Sequence, residues 1–374
     1  MKIFLIAGAR PNFMKIAPLI HELERVSPSG GVPGHGPAWK LIHTGQHYDF
    51  KMSKVFFRDF DIPEPDYFLD AGSGSHAEQT AKIMVEFEKV CAAEKADIVV
   101  VVGDVNSTLA CSIVAKKLNI RVAHIEAGLR SGDMTMPEEI NRIVTDSISD
   151  YLFVTERSGL DNLHREGKNG GKVFFTGNVM IDTLFYSLEK IKNGRAGRIK
   201  RESAGIPGKS GYAVLTLHRP SNVDSRERLG DILDAINRIA ADMDIYFPLH
   251  PRTEKNIRNF GLGYMTERFS IIPPLSYLDF LSLWKDSDLV LTDSGGIQEE
   301  TTALGIPCFT IRENTERPVT IEEGTNTLVG TAKDGILKAY SEFREGVRKK
   351  GRVPELWDGK AAGRIVQILL HGME

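Results

Sequence analysis

Leu291-Thr-Asp-Ser-Gly-Gly-Ile-Gln-Glu-Glu300 closes a run of apolar residues and opens a helical stretch. It reads as a strand, a glycine turn and a helix start, the connection on which an α/β fold is built. A strand feeding Ser294-Gly295-Gly296 leaves unpaired backbone N–H groups at the helix N-terminus, where hydrogen bonds and the helix dipole both favour a phosphate or pyrophosphate. Glu299 and Glu300 follow as carboxylates suited to the hydroxyls of an adjoining ribose. The pattern suggests a nucleotide carrying a sugar; its bland alternative is an ordinary strand-to-helix turn.

Outward from this segment, short β-rich apolar runs alternate with amphipathic stretches in two series. Ile3–Ala7, Lys40–Thr44, Ile98–Val102, Arg121–Ile125, Tyr151–Val154 and Val173–Thr176 form the first. Tyr212–Thr216, Asp244–Pro248, Phe269–Ile272, Leu289–Thr292, Cys308–Ile311 and Asn326–Val329 form the second. Such alternation predicts βαβ units and parallel sheets covered on both faces. A chain of 374 residues exceeds the usual ceiling for one hydrophobic core. The expectation is therefore an α/β protein of two doubly wound, Rossmann-like domains, 1–177 and 178–358. Gly177-Asn-Val-Met-Ile-Asp182 marks the boundary, and the charged segment Lys190–Lys209 reads as an exposed helix and connector. The tail, 359–374, holds an amphipathic helix able to pack on either domain, and Ser27–Pro37 is a Gly- and Pro-rich surface loop.

A formal net charge of −3 leaves no basic excess to neutralise a string of phosphates, which excludes a nucleic-acid binder. Cys91, Cys111 and Cys308 lie apart in apolar surroundings, without metal-ligand spacing, and read as buried thiols. The N-terminal apolar run is too short for a signal peptide or a membrane span. The expected protein is cytoplasmic and not membrane-bound.

In open parallel sheets ligands bind beyond the carboxyl ends of the strands, so the polar motifs should follow strands. After the first comes Gly8-Ala-Arg-Pro-Asn-Phe-Met-Lys15, releasing Arg10 and Lys15 toward a diphosphate. It is neither a Walker A loop nor a dinucleotide fingerprint, so no ATP or NAD signature is present. Ile98–Val102 ends in Gly103-Asp104, with Asp104 a candidate acid or the N-cap of the next helix. Glu126 and Arg130 follow the next strand. Pro137-Glu138-Glu139 opens a helix with acids at its positive end, and Arg142 follows as a candidate substrate-binding cation. Three acidic sites at one sheet edge that also holds Arg10 call for a substrate or a raised pKa. In the second series, His218-Arg219 and His250-Pro-Arg252 each follow a strand as phosphate partners. Arg317 follows Cys308–Ile311, and Phe280 is placed to stack on a base.

Gly8-Ala-Arg10-Pro11 through Lys15, Gly103-Asp104, His124-Ile-Glu126-Ala-Gly-Leu-Arg130, Pro137-Glu138-Glu139-Ile-Asn-Arg142, Thr216-Leu-His218-Arg219, Thr292 to Glu300 and Thr315-Glu-Arg317-Pro318 stand in one order. That series resembles the non-hydrolysing UDP-N-acetylglucosamine 2-epimerase family along nearly the entire chain. The resemblance implies two domains facing across a cleft in the GT-B manner, the C-terminal helix crossing back to the first, closure about the Gly177 region, and a homodimer. It implies a reaction without cofactor or metal: C2 of UDP-N-acetylglucosamine is inverted to give UDP-N-acetylmannosamine, through elimination of UDP to a 2-acetamidoglucal and re-addition. By resemblance Asp104, Glu126 and Glu138 take acid/base work and His218 meets the departing phosphate. Arg10, Lys15, Arg142, His250, Phe280, Ser294, Gly295, Gly296, Glu300 and Arg317 bind the UDP-sugar.

The chain departs from the family in carrying Asn12 where many members have Glu, and Pro220-Ser-Asn222 where bacterial members often have a second arginine. Of the groups with which some bacterial members bind an activating substrate molecule, only Gln46, Arg219 and His250 are recognisable. Thr44-Gly-Gln-His-Tyr48 and Gly72-Ser-Gly-Ser-His76 also resemble epimerases acting on UDP-2,3-diacetamido-2,3-dideoxy-glucuronic acid. A retaining glycosyltransferase would not need the acids at Glu126 and Glu138, and a silent nucleotide-sugar sensor would lack an acid or a phosphate cation.

Overall fold

The computed structural model describes residues 1–27, 37–46, 57–194 and 211–372, without the side chain of Arg10. Most of the loop Ser27–Pro37, His47 and Tyr48, and residues 195–209 of the connector therefore lie outside the described residues. The chain forms two compact units, Met1–Phe185 with Glu355–Glu374, and Tyr186–Pro354.

The first unit is a sheet of seven parallel strands: β1 (Lys2–Ala7), β2 (Ala38–His43), β3 (Tyr67–Phe68), β4 (Ile98–Val102), β5 (Arg121–Ile125), β6 (Tyr151–Val154) and β7 (Val173–Phe175). Their order is β3-β2-β1-β4-β5-β6-β7, with Ile3 level with Trp39 on one side and Ile98 on the other. All five residues of β4, Ile-Val-Val-Val-Val, are buried, as a parallel strand sheltered on both faces requires. Helices α1 (Arg10–Val26), α2 (His76–Ala93), α3 (Asn106–Lys117), α4 (Pro137–Ile148), α5 (Arg157–Arg165) and α6 (Val179–Lys192) alternate with the strands. Ser75 starts α2 by accepting from Glu78 N at 3.2 Å while Glu78 Oε2 accepts from Ser75 N at 3.0 Å. Ile83, Phe87, Val90 and Cys91 then face Phe4, Val99 and Val101 in the core.

The second unit is a six-stranded parallel sheet: β8 (Tyr212–Thr216), β9 (Asp244–Pro248), β10 (Phe269–Ile272), β11 (Leu289–Thr292), β12 (Cys308–Thr310) and β13 (Asn326–Leu328), ordered β10-β9-β8-β11-β12-β13. Its helices are α7 (Pro220–Val223), α8 (Arg226–Ile239), α9 (Pro251–Asn259), α10 (Tyr277–Trp284), α11 (Gly295–Leu304), α12 (Pro318–Glu322) and α13 (Lys333–Arg344). Leu229, Ile232, Leu233 and Ile236 of α8 pack against Ile245, Phe247 and Leu291 of the sheet. In each unit the strand order reverses beside the first strand, β1 next to β4 and β8 next to β11, which opens a crevice at the carboxyl ends of those strands.

The last helix, α14 (Ala361–His371), belongs to the first unit and packs on α1. Asp182 holds its start, accepting from Ala361 N at 3.1 Å and Ala362 N at 2.8 Å, and Trp357 Nε1 donates to the Thr155 carbonyl at 2.9 Å. Gly177 has φ +86°, and a Cβ there would stand 2.1 Å from the Leu356 carbonyl oxygen, so this position admits only glycine. Strand β3 has no counterpart in the sequence reading: two residues after Pro63 and Pro65 give no periodicity to detect. Helix α6 ends at Lys192, and the exposed helix expected within Lys190–Lys209 falls mostly outside the described residues. All three cysteines are buried free thiols. No described helix is long and apolar enough to cross a membrane.

Candidate functional site

In the first unit the polar groups gather on the turn after β4. Gly103 has φ +72°, and a Cβ on it would stand 3.1 Å from Lys15 Nζ and 3.4 Å from Glu126 Oε2. Lys15 itself donates to Glu126 Oε2 at 2.5 Å, and both side chains are buried. Glu126 sits at the tip of β5 with φ +71°, a backbone conformation that costs a non-glycine residue about 1–3 kcal/mol and that clusters at functional sites. The surrounding contacts hold that strain. Asn12 Oδ1 accepts from Ala9 N at 2.8 Å and its amide donates to the Val102 carbonyl at 2.9 Å. A glutamate at this position would have no proton for the second bond.

Asp104 is not the helix cap; Val105 occupies that position, and Asp104 turns instead to Arg142. Arg142 Nε and Nη2 lie 3.0 and 2.8 Å from Asp104 Oδ2, and Asn141 donates to the Asp104 carbonyl at 2.8 Å. Arg142 also bonds Glu139, which accepts from Ser131 N at 3.0 Å and Gly132 N at 2.9 Å. Two of the three expected acids are thus charge-compensated, Glu126 by Lys15 and Asp104 by Arg142. Lys15 and Arg142, expected to bind substrate, have these carboxylates as partners because a buried cation needs the nearest anion. Glu138, half-buried in the first turn of α4, makes no hydrogen bond or ion pair among the described residues. Arg10 opens α1, with its side chain outside the description.

Beneath this turn His124 bridges Asp146 Oδ1 at 2.7 Å and the Gly103 carbonyl at 2.9 Å. Asp146 also accepts from Gly128 N at 3.0 Å and pairs with Arg130 at 2.8 Å. Burial opposes its charge, yet His124 and Arg130 leave its pKa below the ordinary carboxylate value.

In the second unit the centre is Asp293, fully buried after β11. It accepts from the backbone N of His218 at 3.0 Å and of Arg219 at 2.9 Å, and its Oδ1 lies 2.8 Å from His218 Nδ1. Burial works to raise its pKa, but the His218 bond and charge, with the two N–H groups, bring it below the ordinary value. The carboxylate holds the Nδ1 proton, which fixes Nε2 of the half-exposed His218 ring as the available atom. His250 is exposed, accepts from Arg252 N at 3.2 Å and lies 5.8 Å from His218 between ring centroids. Arg252 pairs with Asp224.

Ser294 precedes α11, whose first turn begins at Gly295 and Gly296. Ser294 N donates to Thr292 Oγ1 at 2.9 Å. Arg317 Nε lies 2.8 Å from Glu299 Oε1, and Thr315 Oγ1 accepts from Arg317 N at 3.1 Å. Glu300 is buried and accepts from Tyr277 Oη at 2.6 Å; burial raises its pKa to about 8. Phe280 is half-buried on α10. Sequence reasoning left Asp293, Glu316, Tyr277, His124 and Asp146 without roles. Asp293 had a signal, an acid at a strand tip inside the glycine-turn segment, and His124 and Glu316 stood within quoted motifs.

A sequence profile described as UDP-N-acetylglucosamine 2-epimerase matches residues 35–370. The UDP-N-acetylglucosamine 2-epimerase of Methanocaldococcus jannaschii is 44% identical over 377 residues, covering 100% of both chains. Its crystal structure in complex with UDP-GlcNAc and UDP superposes with a TM-score of 0.86 over 100% of each chain. The UDP-2,3-diacetamido-2,3-dideoxy-D-glucuronate 2-epimerase of Pseudomonas aeruginosa is 39% identical over 99% of each chain. The Neisseria meningitidis UDP-GlcNAc 2-epimerase bound to UDP-GlcNAc has a TM-score of 0.87 at 32% identity, covering 99% of this chain and 100% of that one. The fold is of the two-domain GT-B type that these structures share.

Proposed function

The chain belongs to the UDP-N-acetylglucosamine 2-epimerase family, and from that premise we propose that it interconverts UDP-N-acetylglucosamine and UDP-N-acetylmannosamine. The observation carrying this reading is Glu126, an ionisable residue kept in a strained backbone at a strand tip against Lys15, with Asp104 in the preceding turn. Proton chemistry on carbon needs such fixed acids and bases, whereas transfer of the sugar to an acceptor does not.

In this reading the second unit takes UDP. The N–H groups of Gly295 and Gly296, Ser294, Arg317 and His218 receive the diphosphate, with His250 beside them. Glu300 takes the ribose hydroxyls and Phe280 the base. The first unit supplies Asp104, Glu126 and Glu138 for C2, and Arg10, Lys15 and Arg142 as its cations. A carboxylate removes the C2 proton, the C1–O bond breaks with its electron pair passing to the β-phosphate oxygen, and C1 and C2 become doubly bonded. Charge developing on the diphosphate meets cations and dipoles already in place. UDP then re-adds to C1 while a second acid returns a proton to the other face of C2. No metal or nicotinamide is needed. The same reading has the protein act as a cytoplasmic homodimer.

Asp104→Asn should abolish epimerisation and leave UDP affinity near that of the unsubstituted protein, read by isothermal calorimetry. Parallel loss of affinity and turnover would move Asp104 into a binding role. The 39% identical Pseudomonas aeruginosa relative favours a second reading, the diacetamido-glucuronate substrate. Supplying each UDP-sugar separately and comparing kcat/KM chooses between them.

A further inference from the structure

Glu316 lies in the loop between β12 and α12, 8% exposed, and has no part in the chemistry described above. Arg312 Nη2 donates to its Oε2 at 2.9 Å, and Arg219 Nη2 lies 3.5 Å from its Oε1. Arg317 is its chain neighbour, and its positive charge also favours the ionised carboxylate. Oε1 also stands 3.1 Å from where a Cβ on Gly295 would be, so the carboxylate is seated against the first residue of α11. Burial opposes the charge, but Arg317, Arg312 and Arg219 hold its pKa down to about 2. Glu316 is therefore an anion at every working pH.

We infer that Glu316 is a resident anion of the phosphate cradle, gathering Arg219, Arg312 and Arg317 beside Gly295 and competing with a bound diphosphate for them. The inference rests on the reading of the second unit as the UDP site. Guanidinium groups gathered in this way repel one another; Glu299 pairs with Arg317, and Glu316 with Arg312 and the half-buried Arg219, so these carboxylates keep the cradle assembled while it is empty. An arriving diphosphate carries more negative charge than Glu316 and takes over part of that coordination. The cost of this exchange keeps UDP affinity below what the cations alone would give. That restraint suits a reaction in which bound UDP must leave C1 and attack it again, since affinity spent on the separated UDP state slows its re-addition.

The test is calorimetric titration of UDP, inorganic pyrophosphate and uridine into the full chain and into Glu316→Gln, which keeps the shape of the side chain and removes its charge. UDP and pyrophosphate should bind Glu316→Gln about fivefold tighter or more, with a steeper salt dependence, while uridine affinity stays unchanged. If Arg312 without its partner prevents folding, Glu316→Asp keeps the charge but withdraws it by one methylene from Arg219 and Gly295. It should show the same tightening at smaller size. Unchanged or weaker UDP binding in whichever variant folds overturns the inference. Failure of the unsubstituted protein to bind UDP overturns the functional reading instead.

Discussion

Asp293 shows how much one buried side chain organises. Its two oxygens serve the N–H groups of His218 and Arg219, the amide of Asn222 and the His218 ring, so the loop after β8 is fixed by the loop after β11. Asp293→Asn retains the volume but cannot accept all of these bonds, and it loses the charge that selects the His218 tautomer. The expected result is a kcat lower on the order of 10²-fold with a nearly unchanged KM for the UDP-sugar, measured by steady-state kinetics. Wild-type turnover in that variant would remove His218 from the chemistry. At this scale the sequence announced which residues are polar and follow strands, as with Asp104, Glu126 and His218. It could not announce their partners, because pairing is tertiary: His124 meets Asp146 from a helix further along the chain, and Glu316 meets Arg219 from a different βα unit.

Among the elements, α14 depends on one carboxylate. Asp182 lies in the first turn of α6 yet caps the start of α14, and burial raises its pKa to about 6. The folded state therefore holds a proton that the unfolded chain releases near pH 4. This favourable contribution is complete below the unfolded value and is lost as pH rises through about 6, a change on the order of 3 kcal/mol. Chemical denaturation of Asp182→Asn should lack the decline in stability that the parent shows between pH 4 and pH 6.5. An identical pH profile in the two proteins would show that Asp182 is ordinarily ionised. Strands were legible wherever an apolar run of four residues or more stood between turns, as in β4 and β8. Periodicity did not choose the docking of α14, since its apolar face, Ala361, Ile365, Val366 and Leu369, fits any complementary helix; only the family resemblance pointed to the first domain.

Over the whole molecule, whose net charge is −3, several buried or half-buried cations pair with carboxylates near the carboxyl ends of the strands. Lys15 and Arg142 neutralise acids in the first unit, and Arg219, Arg312 and Arg317 gather in the second. Each unit thus places its chemistry at the carboxyl ends of the strands beside β1 or β8, where a doubly wound sheet leaves room for a ligand. The parallel topology was readable from alternation alone because helices follow strands through both sheets, as in β4-α3-β5 and β11-α11-β12. The division of labour between the units, proton chemistry in one and diphosphate binding in the other, is the central proposal. It is tested most directly by proton NMR of the purified protein with UDP-N-acetylglucosamine in D2O, without added metal or nicotinamide. A new anomeric signal for the manno epimer is expected, with replacement of the C2 proton by deuterium in both sugars at equilibrium. Epimerisation with the C2 proton retained would contradict the elimination mechanism, and bound but unchanged UDP-N-acetylglucosamine would contradict the choice of substrate.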